Sequence, residues 1–359
     1  MDRNAIVGIV LIFAILVVFS IVNQPSQEEV EEAKRRRDSI ALVEAENARV
    51  LEETRQMDIA NQQAPADTAS YEKEVKQKID ELGAFGKAAI GSEQFYTLEN
   101  NLMKITFSNK GGKIYSVELL DYQTHDSLPL ILFENPEHFG LSFFSQNRSV
   151  ETAQLFFEPT VSKKNIVVSG PPVKKTNEGK IKFNNDNPGA SESIGFRVEV
   201  APGKYLEYNY ALSYNSYLVD FDVNMLGMNQ YIASNQSFLN FNWAIKVPRQ
   251  ERPSRFGEDR YTTINYKFFE DEVDELNKNK SDEESLSTSL KWISFKQLFF
   301  NSTLIADQSF PNAFVRSEVF EEDPEYLSNF YAEIALPYEG SANEKIDMSF
   351  YFGPNHYQT

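Results

Sequence analysis

The chain has 359 residues, enough for one large domain or two smaller ones. Its 53 acidic and 35 basic residues give a formal net charge of −18. This charge argues against a nucleic-acid-binding protein, because such a protein needs a basic surface. The chain contains no cysteine, which excludes disulfides, structural zinc sites and thiol nucleophiles.

An uncharged apolar run, Ala5–Val22, lies close to the N-terminus. Its 18 residues would form a helix of roughly 27 Å, which just spans the hydrocarbon core of a bilayer. The alternative is a cleaved signal peptide, but its apolar region is usually only about 7–15 residues long. Residues 23–26 also lack a small-x-small cleavage site. The sequence therefore predicts a retained transmembrane anchor over residues 1–24. The apolar residues taken to define this anchor are Ala5, Ile6, Leu11, Phe13, Leu16, Phe19 and Val22.

The charges on either side of this run bear on its orientation. Arg3 favours a cytoplasmic N-terminus by the positive-inside rule, whereas the basic cluster Lys34–Arg37 on the other side favours the reverse. We predict a cytoplasmic N-terminus, with the bulk of the chain outside the inner membrane.

Residues 25–90 have the character of a charged helical stalk and linker. Ser26 and Glu29 form a capping-box pattern, and a helix rich in Glu, Arg and Ala is expected to follow to about Gln56. Its apolar positions are too few for three or four clean heptads, so a solvated stalk is favoured over a coiled coil. A polar linker and a short helix that ends at Gly83 complete the predicted spacer.

From about Glu93 onwards, apolar and polar residues alternate with a period of two. Two such runs flank Asn109–Gly112, which predicts a hairpin whose tight turn is formed by Gly111 and Gly112. The alternation recurs as far as Phe352, without an alternation of helices and strands. It predicts a single all-β domain over residues 91–353, built of antiparallel sheets that pack face to face.

Two segments interrupt this alternation. Residues 177–191 form a turn-rich excursion, and residues 270–289 form an acidic insertion that we expect to be a mobile loop.

Potential sites of chemistry are few. The three histidines, His125, His138 and His356, do not have the spacing of metal ligands and are expected to lie at the surface. The acidic runs of residues 270–284 lack the ligand and glycine pattern of a calcium loop. The sequence therefore predicts neither a catalytic constellation nor a bound cofactor.

The apolar segment Leu290–Phe300 contains Trp292 and three phenylalanines. It is either an exposed site for a partner or a buried strand, and the second interpretation is favoured because large apolar groups are usually buried.

Four stretches stand out when they are taken in order: Met1–Asn4 before the apolar run, the hairpin residues Ile105–Ile114 with Val117–Leu119, the Trp292 segment Leu290–Phe300, and Tyr351–Pro354. In this order they resemble the YidC family of bacterial membrane protein insertases, and the last is similar to the exit from that family's periplasmic domain. The long Arg- and Glu-rich stalk resembles the Bacteroidetes members of the family.

The resemblance implies a β-supersandwich of the galactose-mutarotase type and a non-enzymatic role in membrane protein insertion. The implied partners are inner-membrane protein substrates, the lipid bilayer and the Sec translocon with SecD and SecF. Family members insert proteins with a five-helix membrane core whose groove carries an arginine. Because no further apolar span follows Val22, we expect this chain to be the N-terminal part only, with residues 354–359 beginning the connection to that core.

A different function class remains open on the same fold. A membrane-anchored carbohydrate-binding or aldose-epimerase-like protein would need two histidines and a carboxylate that converge in one cleft. His125 and His138 are 13 residues apart, and no glutamate is evident as their partner.

Overall fold

The computed structural model describes residues 76–170, 190–252, 257–270, 272–320 and 323–355. Residues 76–82 are α-helical, and the 3₁₀-helix Gly83–Ala89 follows directly. Gly83 lies at the junction with φ +63°, which fits the predicted helix end, because glycine readily adopts this left-handed conformation. Three more short 3₁₀-helices are Thr152–Gln154, Met228–Gln230 and Glu258–Arg260.

The remaining elements of the described ranges are all strands. In chain order they are β1 (Phe95–Glu99), β2 (Met103–Ser108), β3 (Lys113–Gln123), β4 (Pro129–Glu134), β5 (His138–Ser145), β6 (Arg148–Glu151), β7 (Glu158–Pro159), β8 (Asn165–Val167), β9 (Ser191–Ala201), β10 (Lys204–Ser213), β11 (Leu218–Leu226), β12 (Phe238–Pro248), β13 (Thr263–Phe268), β14 (Val273–Glu275), β15 (Asp282–Leu286), β16 (Leu290–Lys296), β17 (Phe300–Phe310), β18 (Ala313–Val319), β19 (Tyr326–Pro337) and β20 (Asn343–Pro354).

These strands form three sheets. The largest has nine strands in the order β14-β13-β16-β17-β20-β11-β10-β9-β7, the second has six in the order β15-β18-β19-β12-β5-β6, and the third has five in the order β4-β3-β2-β1-β8. All the pairings are antiparallel except that of β1 with β8. The prediction of an all-β domain of mainly antiparallel sheets is therefore confirmed.

The two-residue alternation places one face of each sheet in the core. On β10, Leu206, Tyr208, Tyr210 and Leu212 are completely buried, whereas the residues between them are partly exposed. Such a strand is stable only when a second layer covers its apolar face. Here the five-stranded and six-stranded sheets both cover the same face of the nine-stranded sheet.

Aromatic contacts show how the layers meet. Phe107 of the five-stranded sheet lies 4.8 Å, centroid to centroid, from Tyr210, which stacks at 4.9 Å on Phe221. Phe221 in turn lies 5.8 Å from Phe241 of the six-stranded sheet. The two smaller sheets therefore share one continuous aromatic core with the largest sheet.

The first residues of this core precede the strands. Phe85 is completely buried and packs edge-on against Phe143 of β5, with the ring centroids 5.5 Å apart. The packed part of the chain thus includes residues that the sequence analysis assigns to the spacer.

The acidic insertion at residues 270–289 is not a mobile loop, and this prediction is wrong. Residues 273–275 form β14 at one edge of the nine-stranded sheet, and residues 282–286 form β15 at one edge of the six-stranded sheet. Leu276 and Leu286 are buried, and the Tyr266 hydroxyl donates a hydrogen bond of 2.6 Å to Glu284. Most charged residues of the segment face solvent, whereas Leu276 and Leu286 are buried and hold the segment against the domain. Of the turn-rich excursion predicted at residues 177–191, residues 177–189 lie outside the described residues.

The hairpin turn at Gly111 and Gly112 has the predicted conformation, with φ values of +82° and +60°. A Cβ atom on Gly112 would lie 3.1 Å from Tyr208 Cδ2 and 3.2 Å from the Phe157 ring. The carbonyl oxygen of Gly112 accepts a hydrogen bond of 2.8 Å from the Tyr210 hydroxyl. Both backbone conformation and packing therefore require glycine at residue 112.

We expect Gly112→Val to lower the free energy of unfolding by about 1–3 kcal/mol through backbone strain, with a further cost from crowding of Tyr208. Gly203→Val is the matched control, because Gly203 has φ +70° but no atom within 4 Å of an added Cβ. Urea denaturation measures both variants. Equal losses would show that packing around Gly112 contributes nothing.

A second variant tests how the acidic segment is held. Leu276 is 2% exposed, so Leu276→Ala removes a buried side chain, a change that typically costs about 2–5 kcal/mol. We expect faster tryptic cleavage at Lys280 in this variant. Val273→Ala, at a position 51% exposed, is the control and should be cleaved at the rate of the unaltered chain. Equal rates for the two variants would show that Leu276 does not anchor the segment.

Candidate functional site

Two of the stretches singled out in the sequence meet at one end of the nine-stranded sheet. β16 and β17 carry the Trp292 segment, and β20 ends in Gly353 and Pro354. β17 pairs with β20 so that Phe300 lies opposite Pro354 and Asn301 lies opposite Gly353. Residues more than fifty positions apart in the sequence therefore form one site, which we call the β20 terminus.

The turn between β16 and β17 binds the residue that follows β20. The backbone N–H of Asn355 donates to the Phe299 carbonyl at 2.7 Å. The Asn355 side-chain amide donates to the carbonyls of Gln297 and Leu298 at 3.1 and 3.0 Å. Asn301 donates to the side-chain oxygen of Asn355 at 2.9 Å. Four hydrogen bonds thus hold Asn355 against the turn between β16 and β17.

Gln297 connects the same turn to a second sheet. Its side-chain amide is 2% exposed and donates to the Leu132 carbonyl of β4 at 3.0 Å. Phe133 of β4 also lies 5.9 Å from Phe352 of β20, centroid to centroid. The β20 terminus is therefore braced by the five-stranded sheet as well as by its own sheet.

Gly353 is required by close packing rather than by an unusual φ. A Cβ atom on this residue would lie 2.9 Å from Tyr217 Cγ and 2.9 Å from the Tyr351 hydroxyl oxygen. The Tyr351 hydroxyl donates to the Pro354 carbonyl at 2.8 Å. The glycine leaves room for two tyrosine rings over the last residues of the strand.

These tyrosines belong to a small aromatic cluster. Tyr217 and Tyr351 lie 6.2 Å apart, and Tyr122 lies 4.9 Å from Phe300, measured between ring centroids. Burial raises the pKa of Tyr351 to about 12, with a smaller contribution from Tyr122. Burial also raises the pKa of Tyr217. The raised pKa of Tyr351 keeps its hydroxyl protonated, and thus able to donate to Pro354, further into the alkaline range than for an exposed tyrosine.

The Trp292 segment is mainly a buried strand, as favoured by the sequence. Leu290, Ile293 and Phe295 are completely buried, whereas Trp292 is half-buried between Lys267 and Ile305 of the neighbouring strands. The exposed aromatic residue is Phe299, at 52%. The deeply buried tryptophan is Trp243 of β12, whose ring stacks on Phe295 at a centroid distance of 4.0 Å.

The remaining predicted residues lie elsewhere. Gly111 and Gly112 pack against Ala153 and Tyr208 rather than at the β20 terminus. The predicted anchor residues between Ala5 and Val22 lie outside the described residues, as does His356. Among the residues that the structure describes, no helix is long and apolar enough to cross a membrane.

The two described histidines have different surroundings. His125 is exposed and contacts the Gln250 carbonyl through Nδ1 at 3.2 Å. His138 is also exposed and meets Tyr331 edge-on, with a centroid distance of 5.9 Å. Within the described ranges, no group of three or more His, Cys, Asp or Glu side chains is arranged to hold a metal ion.

Two contributors to the site were missed by sequence reasoning. Asn355 is one of several polar residues that follow Pro354, and nothing in the local pattern distinguishes it. Tyr217 lies directly before β11, and its contact with Gly353 depends on the pairing of β11 with β20. One signal in the sequence was Gly353, which follows two aromatic residues at the end of a predicted strand. A glycine at such a position often marks the close approach of another group, which here is Tyr217.

Comparison with known proteins assigns a family to this domain. Residues 96–359 match the family described as the YidC periplasmic domain. The chain is 33% identical to the membrane protein insertase YidC of Phocaeicola vulgatus over 360 residues, which cover all of this chain and 51% of that protein. It is 31% identical to that of Bacteroides fragilis, again over the whole chain and 52% of the relative. The chain therefore spans about half the length of the curated relatives it matches.

The solved structures to which this chain is similar include a galactose mutarotase related enzyme from Lactobacillus acidophilus. It has a TM-score of 0.37 and 14% identity, and the match covers 74% of this chain and 98% of that one. A galactose mutarotase-like protein from Lactobacillus casei has a TM-score of 0.38 and 11% identity, with 72% and 100% covered.

Gly353→Ala tests the packing at the β20 terminus. We expect a loss of about 1–3 kcal/mol in the free energy of unfolding, because the added methyl group overlaps Tyr217. In a Tyr217→Ala background, the same substitution should cost less, since the overlapping ring is absent. A thermodynamic cycle of the four proteins, measured by urea denaturation, gives this coupling. Strict additivity would contradict the packing role of Gly353.

Proposed function

The chain belongs to the YidC family of membrane protein insertases, and we propose that it forms the membrane anchor and the periplasmic domain of such an insertase. In this proposal, residues 1–24 anchor the chain with a cytoplasmic N-terminus. Residues 25–90 form the spacer, residues 91–353 form a periplasmic β-supersandwich, and residues 354–359 begin the connection to the helical core.

The hydrogen-bonded β20 terminus is the observation that supports this role most directly. Four hydrogen bonds around Asn355 and the rings over Gly353 hold the end of the last strand in one direction. A domain that must hold a following segment at a fixed place needs such a rigid exit, because a flexible one would lose the orientation. We propose that this site positions whatever the chain continues into, so that the domain and the insertase core keep a defined geometry.

The proposed partners follow from family membership. They are inner-membrane proteins during insertion and folding, the lipid bilayer, and the Sec translocon with SecD and SecF. In this proposal, the β-domain binds these partners and positions the insertase core, and it does not catalyse a reaction. The carbohydrate or epimerase alternative receives less support, because His125 and His138 contact different groups.

We further propose that residues 1–359 do not insert membrane proteins by themselves. A hydrophilic segment in transit needs a polar surface within the bilayer, because each unpaired polar backbone group in lipid costs several kcal/mol. The run Ala5–Val22 is uncharged and would form a single helix, which offers no such groove. A bundle of helices around a wet cavity could supply one.

Depletion of the cell's own insertase tests this proposal. Cells are complemented either with residues 1–359 or with the complete gene, and growth and insertion of a reporter membrane protein are measured. We expect rescue only by the complete gene. Rescue by residues 1–359 alone would place the insertion activity in the anchor or the β-domain.

The complete gene with Gly353→Ala tests the role of the β20 terminus. We expect this variant to rescue growth less well than the unaltered gene at the same protein level.

A further inference from the structure

Three exposed apolar side chains lie at the end of the domain that carries the β20 terminus. Leu120 of β3 and Leu218 of β11 are each 40% exposed, and Phe299 in the turn between β16 and β17 is 52% exposed. We call these three residues the apolar rim. Their immediate neighbours in the chain include a single charged residue, Asp121, and no lysine or arginine. The rim is therefore an apolar feature on a strongly acidic protein.

Leu218 and Phe299 flank the last residues of β20. Leu218 lies opposite Tyr351, because β11 is the neighbour of β20 on one side. On the other side, the backbone carbonyl of Phe299 accepts the hydrogen bond from Asn355. These two rim residues therefore lie on either side of the point where β20 ends.

Leu120 reaches the same end of the domain through β3. Tyr122, two residues further along this strand, lies 4.9 Å from Phe300, measured between ring centroids. Phe300 directly follows Phe299 of the rim. The five-stranded sheet thus contributes the third rim residue.

Tyrosine rings accompany the apolar rim. Tyr122 and Tyr351 are both partly exposed, and each contacts a residue beside the end of β20. A tyrosine has an apolar ring and a polar hydroxyl, and such side chains are enriched where a protein meets the interface between membrane and water. Exposed apolar groups that occur together mark an interaction surface. The composition of this end is therefore that of a surface in contact with lipid.

The hydrogen bonds of Asn355 give a second reason to choose lipid. In the proposed function, the residues after β20 lead into a helical core within the membrane. Asn355 is held against the turn that carries Phe299, so that connection begins beside the rim. The apolar rim is then the part of the domain that faces the bilayer, and this step rests on the proposed function.

The charge of the protein determines how such a contact is made. Anionic headgroups attract basic segments, and a chain with a net charge of −18 gains nothing from that attraction. The contact must come from apolar side chains instead. Interfacial elements that bind in this way lie about 5–10 Å within the boundary between headgroups and acyl chains.

We propose that the apolar rim rests in the interfacial region of a lipid bilayer, with the side chains of Leu120, Leu218 and Phe299 in contact with lipid. This contact turns the β20 terminus towards the membrane and limits rotation of the β-domain over the membrane surface. The rim thereby orients the domain, while the hydrogen bonds of Asn355 orient the chain that leaves it.

Quenching by labelled lipid tests the contact. The chain contains no cysteine, so Phe299→Cys provides one attachment site for an environment-sensitive fluorophore. Residues 1–359 carrying this label are reconstituted with phosphatidylcholine vesicles, in which some lipids bear a doxyl quencher near the start of an acyl chain. We expect the vesicle-bound label to be quenched at least about twofold more strongly than a label at a control site, because interfacial groups lie at the depth of this quencher.

Phe144→Cys is the matched control, since Phe144 is 57% exposed but lies towards the opposite end of the domain. Its strand, β5, runs away from the β20 terminus. The Leu141 N–H donates to the Tyr208 hydroxyl at 3.1 Å, and Tyr208 lies opposite Val223, five residues along β11 from Leu218. Circular dichroism verifies that both labelled variants are folded. Equal quenching of the two labels would overturn the proposal.

Further outcomes separate a different occupant and the failure of the proposed function. A Phe299 label that is shielded without vesicles, in a chain that light scattering shows to be dimeric, would assign the rim to a second copy and overturn the lipid contact. Failure of the chain to float with vesicles would contradict both the anchor and the lipid contact. Rescue of cells by residues 1–359 alone would contradict the proposed function but leave the quenching at residue 299 unchanged.

Discussion

The packing of Phe350 in the centre of the nine-stranded sheet is the contact on which the rest of the domain depends. Its ring lies 5.4 Å from Phe221 and 5.4 Å from Trp243, and Phe139 lies 5.9 Å away, all between ring centroids. These neighbours come from the nine-stranded and the six-stranded sheets. A shift of β20 by one residue would turn Phe350 to the opposite face and expose every core residue of that strand. The register of β20 is therefore fixed by burial of aromatic surface.

That register determines both special features of the strand. With Phe350 in the core, Gly353 necessarily lies opposite Asn301, where the tyrosine rings need space. The same register leaves residues 343–347 beyond the last pair with β17. Strand β20 thus has three parts with different structural roles. Its first part borders a cavity, its centre closes the core, and its last part leads to Asn355, which is hydrogen-bonded to the turn between β16 and β17.

Much of this fold was predictable because one wet face and one buried face produce a period of two in the sequence. The alternation predicted the strands, and Asn109–Gly112 predicted the first hairpin. The acidic segment was misjudged because its charge masked Leu276 and Leu286, which are only two side chains among twenty residues. The role of Asn355 could not be predicted from the sequence. It depends on which strands are neighbours, and periodicity carries no information about pairing between distant strands.

The position of β20 also constrains the order of folding. β11 with its neighbours and β17 with its neighbours belong to one sheet only because β20 pairs with both. β20 is the last strand of the described chain, so the two halves keep an open edge towards each other until it arrives. Chains are made from the N-terminus, and unpaired edges promote aggregation while they persist. Closure brings together strands more than a hundred residues apart, which slows folding because long loops must close first. The nine-stranded sheet is therefore incomplete until β20, which carries Phe350, pairs with both β11 and β17.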